Sequence, residues 1–268
     1  MRVTSIINGK GGIGKTSTAR ALLARLTDLG YKALAIDYDP SGNLTRSLNV
    51  DESANPTMYH VIAGEKGPDG KPLSINDIIL ETDQGLLIAG NATLDKLESM
   101  YRDGDFIDGI WQLSEHIKQL DPTITHLIID NNPKIGGMVS MQSLAAATDL
   151  VAPIEADEFG LMGLETLELA MRRIAKYGKT DLVIDGILIT RYEAQTTTAR
   201  EFAEALQGWA RKLNTKVYAS RIRKGLSVKN SSLERVSVYQ YKIDGGRENK
   251  PAKDYIDFVD EYLHAERV

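Results

Sequence analysis

The sequence contains no cysteine. This absence excludes disulfides, thiolate metal sites, thiol nucleophiles and cysteine-held iron–sulfur clusters. The histidines do not follow a metal-ligand spacing, so no bound transition metal is expected. No uninterrupted apolar stretch approaches the ~20 residues that a helix needs to cross a bilayer, and the longest apolar runs are typical of buried strands. The chemistry of this chain must therefore depend on other side chains and on its backbone.

The sequence also lacks an excess of positive charge, since its formal net charge is -5. Such a chain has no global attraction to nucleic acid, and any DNA binding must come from a local basic surface. The first apolar run leads directly into a glycine-rich segment and leaves no room for a targeting leader, which predicts a cytoplasmic protein. A length of 268 residues with 42% apolar residues predicts one domain over residues 1–268.

Short apolar runs rich in β-branched residues alternate with longer helical patterns along the whole chain. This alternation predicts an α/β fold in which a mostly parallel, doubly wound sheet is flanked by helices. The predicted strands are Arg2–Asn8, Lys32–Asp37, Gly85–Gly90, Thr125–Asp130, Leu150–Ile154, Val183–Thr190 and Lys216–Ile222. The clearest helices are predicted at Thr16–Leu29, Leu161–Tyr177 and Thr197–Leu213, and a surface loop is predicted at Gly64–Leu73.

A glycine-rich run lies between the first predicted strand and the first predicted helix, and it matches the P-loop pattern Gly-(four residues)-Gly-Lys-Thr. Glycines allow successive backbone N–H groups to surround phosphates, and the helix directs its positive end at the same charge. Lys15 is expected at the β- and γ-phosphates, and the Thr16 hydroxyl is expected on Mg²⁺. The predicted ATP-binding residues are Gly9, Lys10, Gly11, Gly12, Ile13, Gly14, Lys15, Thr16 and Ser17. The alternative is a glycine-rich turn that binds nothing.

Carboxylates follow two predicted strands at the edge where doubly wound sheets bind ligands. Asp130 ends an apolar run and is predicted to hold a magnesium-bound water, although a solvated aspartate at a strand end is the alternative. Asp39 is predicted to orient the attacking water and to belong to the magnesium site with Thr16 and Asp130, and Asp37 is predicted to be structural or near the metal. An ordinary turn is the alternative for Asp39, because Asp-Pro favours turns.

The P-loop run resembles that of the deviant Walker-A ATPases of the ParA type, which are relatives of MinD and of the nitrogenase iron protein. The marker of this group is Lys10, a second lysine early in the loop. The resemblance implies a homodimer with ATP between its subunits, in which Lys10 reaches the partner's phosphates. It therefore implies that Lys10, Lys15 and Asp39 carry the catalytic roles.

Further segments resemble the family in their usual order. Residues 37–43, Asp-Tyr-Asp-Pro-Ser-Gly-Asn, are similar to the family's first switch, with Ser41 in place of glutamine. The run at residues 186–192 is also similar, and it makes Thr190 and Arg191 the candidate contacts on the base side of the nucleotide. One departure is Asn131-Asn132, where the family usually has Thr-Pro, and it affects the second switch.

A basic cluster surrounds the segment that resembles the family's Ile-Pro-Arg stretch. The family's basic residues are absent at Gln195 and Ser227, but other cations lie nearby, and Lys224 matches the family's arginine best. The cluster has no base-reading motif beside it, which favours sequence-independent, salt-sensitive contact with DNA phosphates. The alternative is a solvated basic surface. The predicted DNA contacts are Arg221, Arg223, Lys224, Lys229 and Arg235.

The resemblance implies a magnesium-dependent ATPase of plasmid or chromosome segregation, with weak basal activity. Its ATP-bound dimer would bind double-stranded DNA without sequence preference, and a ParB-like centromere-binding protein would stimulate hydrolysis and release. The chain resembles the short, Soj-like kind without an amino-terminal helix-turn-helix. One alternative is a MinD-like positioning ATPase, which needs a basic amphipathic helix, whereas the last predicted helix is acidic and favours core packing. The other is a nucleotide-gated scaffold with little hydrolysis.

Overall fold

The computed structural model describes residues 1–53, 55–101, 106–156, 158–179, 181–193 and 198–264. Its strands are β1 Arg2–Ile6, β2 Ala33–Tyr38, β3 Ile79–Thr82, β4 Gly85–Ile88, β5 His126–Asn131, β6 Asp149–Glu155, β7 Val183–Tyr192 and β8 Val217–Arg223. They form one eight-stranded sheet in the order β3-β4-β2-β5-β1-β6-β7-β8. The predicted fold class is confirmed.

The sheet is parallel except at one edge, where β3 pairs antiparallel with β4. The predicted strands agree with the observed ones to within a few residues, whereas β3 was not predicted. Its side chains are only partly buried, so it lacks the apolar run that marks the central strands. In contrast, every residue of β2 and of β5 is buried, as expected for parallel strands covered on both faces.

Helices cover both faces of this sheet. They are α1 Lys15–Asp28, α2 Asn43–Ser47, α3 Met58–Ile62, α4 Lys96–Met100, α5 Phe106–Ile117, α6 Met138–Ala146, α7 Glu158–Lys176, α8 Thr198–Lys212, α9 Leu226–Leu233 and α10 Lys250–His264. The predicted helices correspond to α1, α7 and α8. Thr197, the predicted start of α8, lies outside the described residues, and so does Gln195.

Alternate residues of each strand belong to different hydrophobic clusters, as the period of two in a β-strand requires. In β5, Ile128 packs with α1 and α10, whereas Leu127 and Ile129 pack with the helices on the other face. The three layers of helix, sheet and helix leave the carboxyl ends of the parallel strands at one edge. That edge carries the loop between β1 and α1.

The carboxyl-terminal helix α10 is part of the core, as its sequence predicted. Tyr255, Phe258, Val259 and Tyr262 are each at most 1% exposed. The apolar face of α10 is therefore covered by the protein itself. Among the described residues, every helix is too short or too polar to span a membrane.

Candidate nucleotide-binding site

The glycine-rich loop joins β1 to α1 and has an open outer surface. Gly12 and Gly14 have φ angles of 76° and 92°, a left-handed backbone region that favours glycine. A Cβ atom built on Gly11 or Gly12 would meet no atom within 4 Å. The start of α1 faces this open space, so backbone N–H groups and the positive helix end are arranged to receive an anion.

Asn8 fastens the start of the loop to the neighbouring strand. Its side chain is fully buried, donates to the Pro153 carbonyl at 2.9 Å and accepts from the Lys10 N–H at 3.0 Å. Helix α7 packs directly against it, since a Cβ on Gly163 would lie 2.0 Å from Asn8 Oδ1. Glycine at position 163 therefore allows α7 to approach the loop closely.

The two lysines of the loop have different surroundings. Lys15 is 6% exposed, and its ammonium donates to the Lys10 carbonyl at 2.8 Å. Burial lowers the pKa of Lys15, while the carboxylates of Asp130 and Asp39 act in the opposite direction. Lys10 is half-buried, and its Nζ lies 3.0 Å from Glu155 Oε2. Only Lys15 is thus held inside the loop.

Glu155, at the end of β6, was not singled out from the sequence. Besides Lys10, its carboxylate pairs with Arg191, whose Nε lies 3.5 Å from Glu155 Oε1. Arg191 has a φ of 52° and donates to the Gly12 carbonyl at 3.0 Å. The carboxylate therefore holds two cations at the mouth of the loop, and no local pattern in the sequence distinguishes it from the other acidic residues nearby.

Thr190 supports the loop from β7. It is 2% exposed, and its hydroxyl lies 2.6 Å from the Ile13 carbonyl and 3.0 Å from the Ile154 carbonyl. The Thr190 hydroxyl is therefore engaged by the protein backbone, and its contact with the base side of the nucleotide stays a prediction. Arg191 remains at the mouth of the loop with half of its side chain exposed.

Asp130 lies beside Asp37 in the register of β5 and β2. Asp130 is fully buried, and both of its carboxylate oxygens lack a hydrogen-bond partner among the described residues. Burial, with a further contribution from Asp37, raises the pKa of Asp130 well above its usual value, while the nearby Thr16 hydroxyl and Lys15 oppose this shift. A buried carboxylate without partners indicates that a ligand belongs there.

These groups fit a magnesium ion. Mg²⁺ prefers oxygen ligands and binds through one or two protein groups together with waters and phosphates. The carboxylate of Asp130 and the hydroxyl of Thr16 are suitable oxygens on the inner side of the loop. The described residues contain no group of three or more histidine, aspartate or glutamate side chains that would hold a metal by themselves. When bound, the ion would neutralise phosphate charge.

Asp37 and Asp39 belong to the loop that follows β2. Asp37 Oδ2 accepts from the backbone N–H and the hydroxyl of Thr45, at 2.8 and 2.6 Å, and burial raises the pKa of Asp37 to about 6. Asp37 therefore fixes the start of α2, in agreement with its predicted structural role. Asp39 is half-buried at the same edge, and its Oδ1 accepts from the Ser41 N–H at 2.9 Å.

Asn131, which departs from the family's second switch, makes hydrogen bonds inside the protein. It is 1% exposed, and its amide donates to the Ser5 hydroxyl at 2.8 Å and to the Ile6 carbonyl at 3.2 Å. These bonds connect the end of β5 to β1 directly below the loop. Asn132 is largely buried and accepts from the Lys134 N–H at 3.1 Å.

A cavity of about 690 Å³ opens beside the loop. Its walls come from the loop itself, the ends of β7 and β8, the turn after β8, and helices α9 and α10. They are mostly apolar, with a few cations at the rim, which suits a nucleoside next to bound phosphates. The residues that line it are Gly12, Gly14, Ser17, Thr190, Arg191, Ile222, Arg223, Lys224, Gly225, Leu226, Val228, Lys229, Ser232, Leu233 and Tyr255.

Only part of the predicted basic cluster lies at this cavity. Arg223, Lys224 and Lys229 line it. Arg223 is bound to Asp254, with Nη2 at 2.6 Å from Oδ1, and Asp254 also accepts from the Arg223 N–H. Lys224 pairs with Glu193 at 2.6 Å. Arg223 and Lys224 thus each pair with a carboxylate, and their contacts with DNA stay a prediction.

The other predicted DNA contacts lie on exposed positions. Arg221 stacks over the Tyr192 ring at 5.0 Å, and Arg235 donates to the Asn49 side chain. Lys229 is exposed on α9 and takes part in no hydrogen bond or ion pair with the residues that the structure describes. Lys224 is also exposed, although it pairs with Glu193, so four of the predicted cations remain accessible.

Comparisons with known proteins agree with this geometry. A family model described as an AAA domain matches residues 1–184. The chromosome-partitioning ATPase Soj of Treponema pallidum is 31% identical over 195 residues, which cover 73% of this chain and 73% of that protein. The chain belongs to the ParA/MinD superfamily of P-loop ATPases. The resemblance inferred from Lys10 and from the switch at residues 37–43 is thereby confirmed at the level of the superfamily.

Solved structures extend the comparison to the whole chain. Cobyrinic acid a,c-diamide synthase of Mycobacterium smegmatis, solved with bound ADP and magnesium, is 26% identical, with a TM-score of 0.79 over 100% of this chain and 96% of that chain. An ATP complex of a McdA variant from Cyanothece has a TM-score of 0.81 at 23% identity, covering 98% of this chain and 96% of that one. Nucleotide and magnesium binding therefore occur in the family.

Proposed function

We propose that this chain is a DNA-partition ATPase that dimerises on ATP. The observation that carries the proposal is the separation of the two loop lysines: Lys15 lies inside its own loop, whereas the Lys10 ammonium pairs with Glu155 at the end of β6. On dimerisation, Lys10 would exchange its ion pair with Glu155 for contact with the phosphates of a second copy. Similarity to the partitioning ATPase Soj supports the same assignment.

The surface beside the loop supports the proposed homodimer. Helix α7 touches the loop through Thr166, which lies 3.6 Å from a Cβ built on Gly9. On the same helix, Met162 is 56% exposed and Leu169 is 62% exposed. Large apolar side chains this exposed next to a binding site favour contact with another protein surface. A second copy bound here would bring its own loop towards Lys10.

The proposed reaction is magnesium-dependent hydrolysis of ATP with weak basal activity. The loop and Lys15 would bind the phosphates, Ser17 and Arg191 would contact the nucleotide, and Thr16 and Asp130 would hold the ion. Asp39 orients the attacking water near the γ-phosphate. The base occupies the apolar cavity bordered by α9 and α10. Water positioning acts only during the reaction, so nucleotide binding alone does not require it.

The proposed DNA contact is electrostatic and independent of sequence. Arg221, Lys229 and Arg235 are exposed. Their positive charge would attract DNA phosphates locally, although the whole chain has a net charge of -5. Few phosphate contacts give weak binding per subunit, so dimerisation on ATP would strengthen it by joining two such surfaces. A ParB-like centromere-binding protein would stimulate hydrolysis and release the dimer. The protein would then be cytoplasmic and associated with the nucleoid.

The test is binding to random-sequence duplex DNA with ATP, with ADP and without nucleotide, at increasing salt. Binding that needs ATP and weakens with salt is expected. The Lys15→Ala variant should not bind DNA in any nucleotide state, and Lys229→Gln should bind more weakly than wild type. Arg211→Gln is the matched control, because Arg211 is exposed on α8 and lines a different surface. Absence of DNA binding by wild-type protein under all conditions would contradict the proposal.

A further inference from the structure

Arg20 is a buried cation on α1, the helix that follows the phosphate loop. It is 4% exposed. Burial lowers the pKa of Arg20 to about 10. Within the described part of the chain, it takes part in no ion pair with a carboxylate, and its hydrogen-bond partners are all neutral. An arginine in such a position needs acceptors that are held firmly in place.

Most of these acceptors lie at the carboxyl end of α9. Arg20 Nη1 donates to the Ser232 hydroxyl at 2.9 Å, and Nη2 donates to the Ser231 carbonyl at 3.3 Å and to the Val236 carbonyl. The carbonyls at a helix end carry partial negative charge and lack partners within the helix. The Ser231 carbonyl at the end of α9, the Val236 carbonyl beyond the helix and the Ser232 hydroxyl therefore compensate the buried guanidinium in place of a carboxylate.

Gln84, in the turn between β3 and β4, completes the arrangement. It is 4% exposed, and its Oε1 accepts from Arg20 Nε at 3.0 Å. Its amide donates to the Arg235 carbonyl at 3.3 Å. Gln84 thus holds both Arg20 and the turn after α9, although it is absent from the walls of the nucleotide cavity.

Helix α9 is one wall of that cavity. Leu226, Val228, Lys229, Ser232 and Leu233 all line it. Ser232 is therefore both a cavity residue and an acceptor for Arg20. The opposite wall includes Ser17, which precedes Arg20 on α1. The position of α9 relative to the phosphate loop accordingly depends on the bonds that Arg20 makes.

We propose that Arg20 is a positioning residue that sets the width of the cavity for the nucleoside. Lys15 and the loop recognise the phosphates, and Arg20 places α9 so that the base and ribose fit beside them. The proposal rests on nucleotide binding at the P-loop. It predicts that loss of Arg20 weakens binding of the nucleoside part of ATP and leaves binding of the phosphates unchanged.

The experiment is calorimetric titration of wild-type and variant proteins with ATP and with inorganic tripolyphosphate, which lacks the base and ribose. Arg20→Met is expected to weaken ATP binding at least about tenfold and to change tripolyphosphate binding by less than about twofold. Gln84→Ala should weaken ATP binding selectively by about threefold, because it acts only through Arg20 and the turn after α9. This second variant keeps the test valid where Arg20→Met does not fold.

Two control variants separate positioning from general destabilisation. Arg2→Met removes a buried arginine at the opposite edge of the sheet, and Asp83→Ala changes the exposed neighbour of Gln84. Both should retain wild-type affinity for ATP and for tripolyphosphate. An equal loss of both affinities in Arg20→Met, or an unchanged ATP affinity in Arg20→Met or in Gln84→Ala, would overturn the proposal. The titrations contain no DNA. If the protein does not bind DNA, the proposed partition function fails, but the result of these titrations does not change.

Discussion

Two clusters of buried or partly buried charge lie at opposite edges of the sheet. At the amino edge of the sheet, Arg2 Nε donates to Asp149 at 3.0 Å and Arg2 Nη2 lies 3.1 Å from Asp185. The other Asp149 oxygen accepts from the Thr4 hydroxyl at 2.9 Å, and Arg2 stacks over the Tyr262 ring at 3.7 Å. Every charge in this cluster has a partner of opposite charge or a hydrogen-bond donor.

The cluster at the carboxyl edge is incomplete. Within the described part of the chain, neither oxygen of Asp130 has a hydrogen-bond partner, and Lys15 is bonded to a backbone carbonyl. Asp37 lies beside Asp130 and adds charge of the same sign. Since an unpaired buried charge destabilises a fold, it is retained where a ligand completes it. The difference between the two clusters indicates that the first maintains the fold and the second binds a ligand.

The largest effect should come from Lys15→Ala. The substitution removes a buried cation that would donate to more than one phosphate oxygen, so ATP affinity should fall at least about 1,000-fold. Isothermal titration calorimetry measures the loss. Lys216→Ala is the control, because this lysine lies 3.9 Å from Asp185 at the amino edge and its loss should not change affinity. Unchanged ATP binding in Lys15→Ala would show that this lysine does not bind the phosphates.

A pair of substitutions tests the comparison directly. Without nucleotide or metal, Asp149→Asn should lower the free energy of unfolding by about 3 kcal/mol, because it removes one of the two carboxylates that pair with Arg2. Asp130→Asn should leave it unchanged or raise it, since it removes a buried charge that has no partner. Urea denaturation at pH 7 measures both. A similar loss of stability in the two variants would contradict the assignment of separate roles.

The difference in stability between wild type and Asp130→Asn is predicted to depend on pH. The folded-state pKa of Asp130 is raised, so the folded protein binds a proton at a higher pH than the unfolded chain does. Wild-type stability should therefore improve as pH falls from the raised pKa towards the ordinary aspartate value of about 3.9. The advantage of Asp130→Asn over wild type should shrink over this range. An advantage that grows as pH falls would contradict the raised pKa.

Asp39→Ala should separate binding from turnover. Because the carboxylate is needed to orient water and not to hold the nucleotide, turnover should fall about 100-fold while ATP affinity stays near the wild-type value. Steady-state phosphate release and calorimetry measure the two quantities. Asp69→Ala, in an exposed loop, is the control. Normal turnover in Asp39→Ala would show that another residue orients the attacking water.

The smallest effect concerns Glu155. Glu155→Gln should release Lys10 and raise basal hydrolysis about threefold, since a partly exposed ion pair contributes only about 0.2–1 kcal/mol. The Lys10→Ala variant should lose activity, and the double variant should behave like Lys10→Ala. An increase that persists in the double variant would show that Glu155 acts independently of Lys10.

The local sequence was sufficient to predict most of the fold and the centre of the site. Strands such as β5 are continuous apolar runs, and the loop from Gly9 to Thr16 has a fixed spacing, so both are visible without a structure. The polar ends of β2 and β5 also predicted that Asp37 and Asp130 would share one edge. Strand β3 was missed because its partly exposed residues lack this pattern.

Other residues acquire their roles only through distant contacts. Glu155 meets Lys10 because β6 and the loop end at the same edge, and Arg20 meets Ser232 although 212 positions separate them. The basic residues at 221–235 are neighbours in sequence, yet Arg223 forms an ion pair with Asp254 on α10. Pairing of this kind depends on which surfaces meet and cannot be read from composition.

By itself, the sequence determined a P-loop, an α/β sheet and the strand ends that carry its carboxylates, because these depend on local spacing and on the period of apolar residues. The tertiary structure decided which charges find partners. Burial leaves Asp130 without a partner, joins Asp149 to Arg2 and directs Arg20 to the end of α9. The physical reason is that the energy of a buried charge depends on the groups that surround it in space, and folding brings those groups from distant parts of the chain.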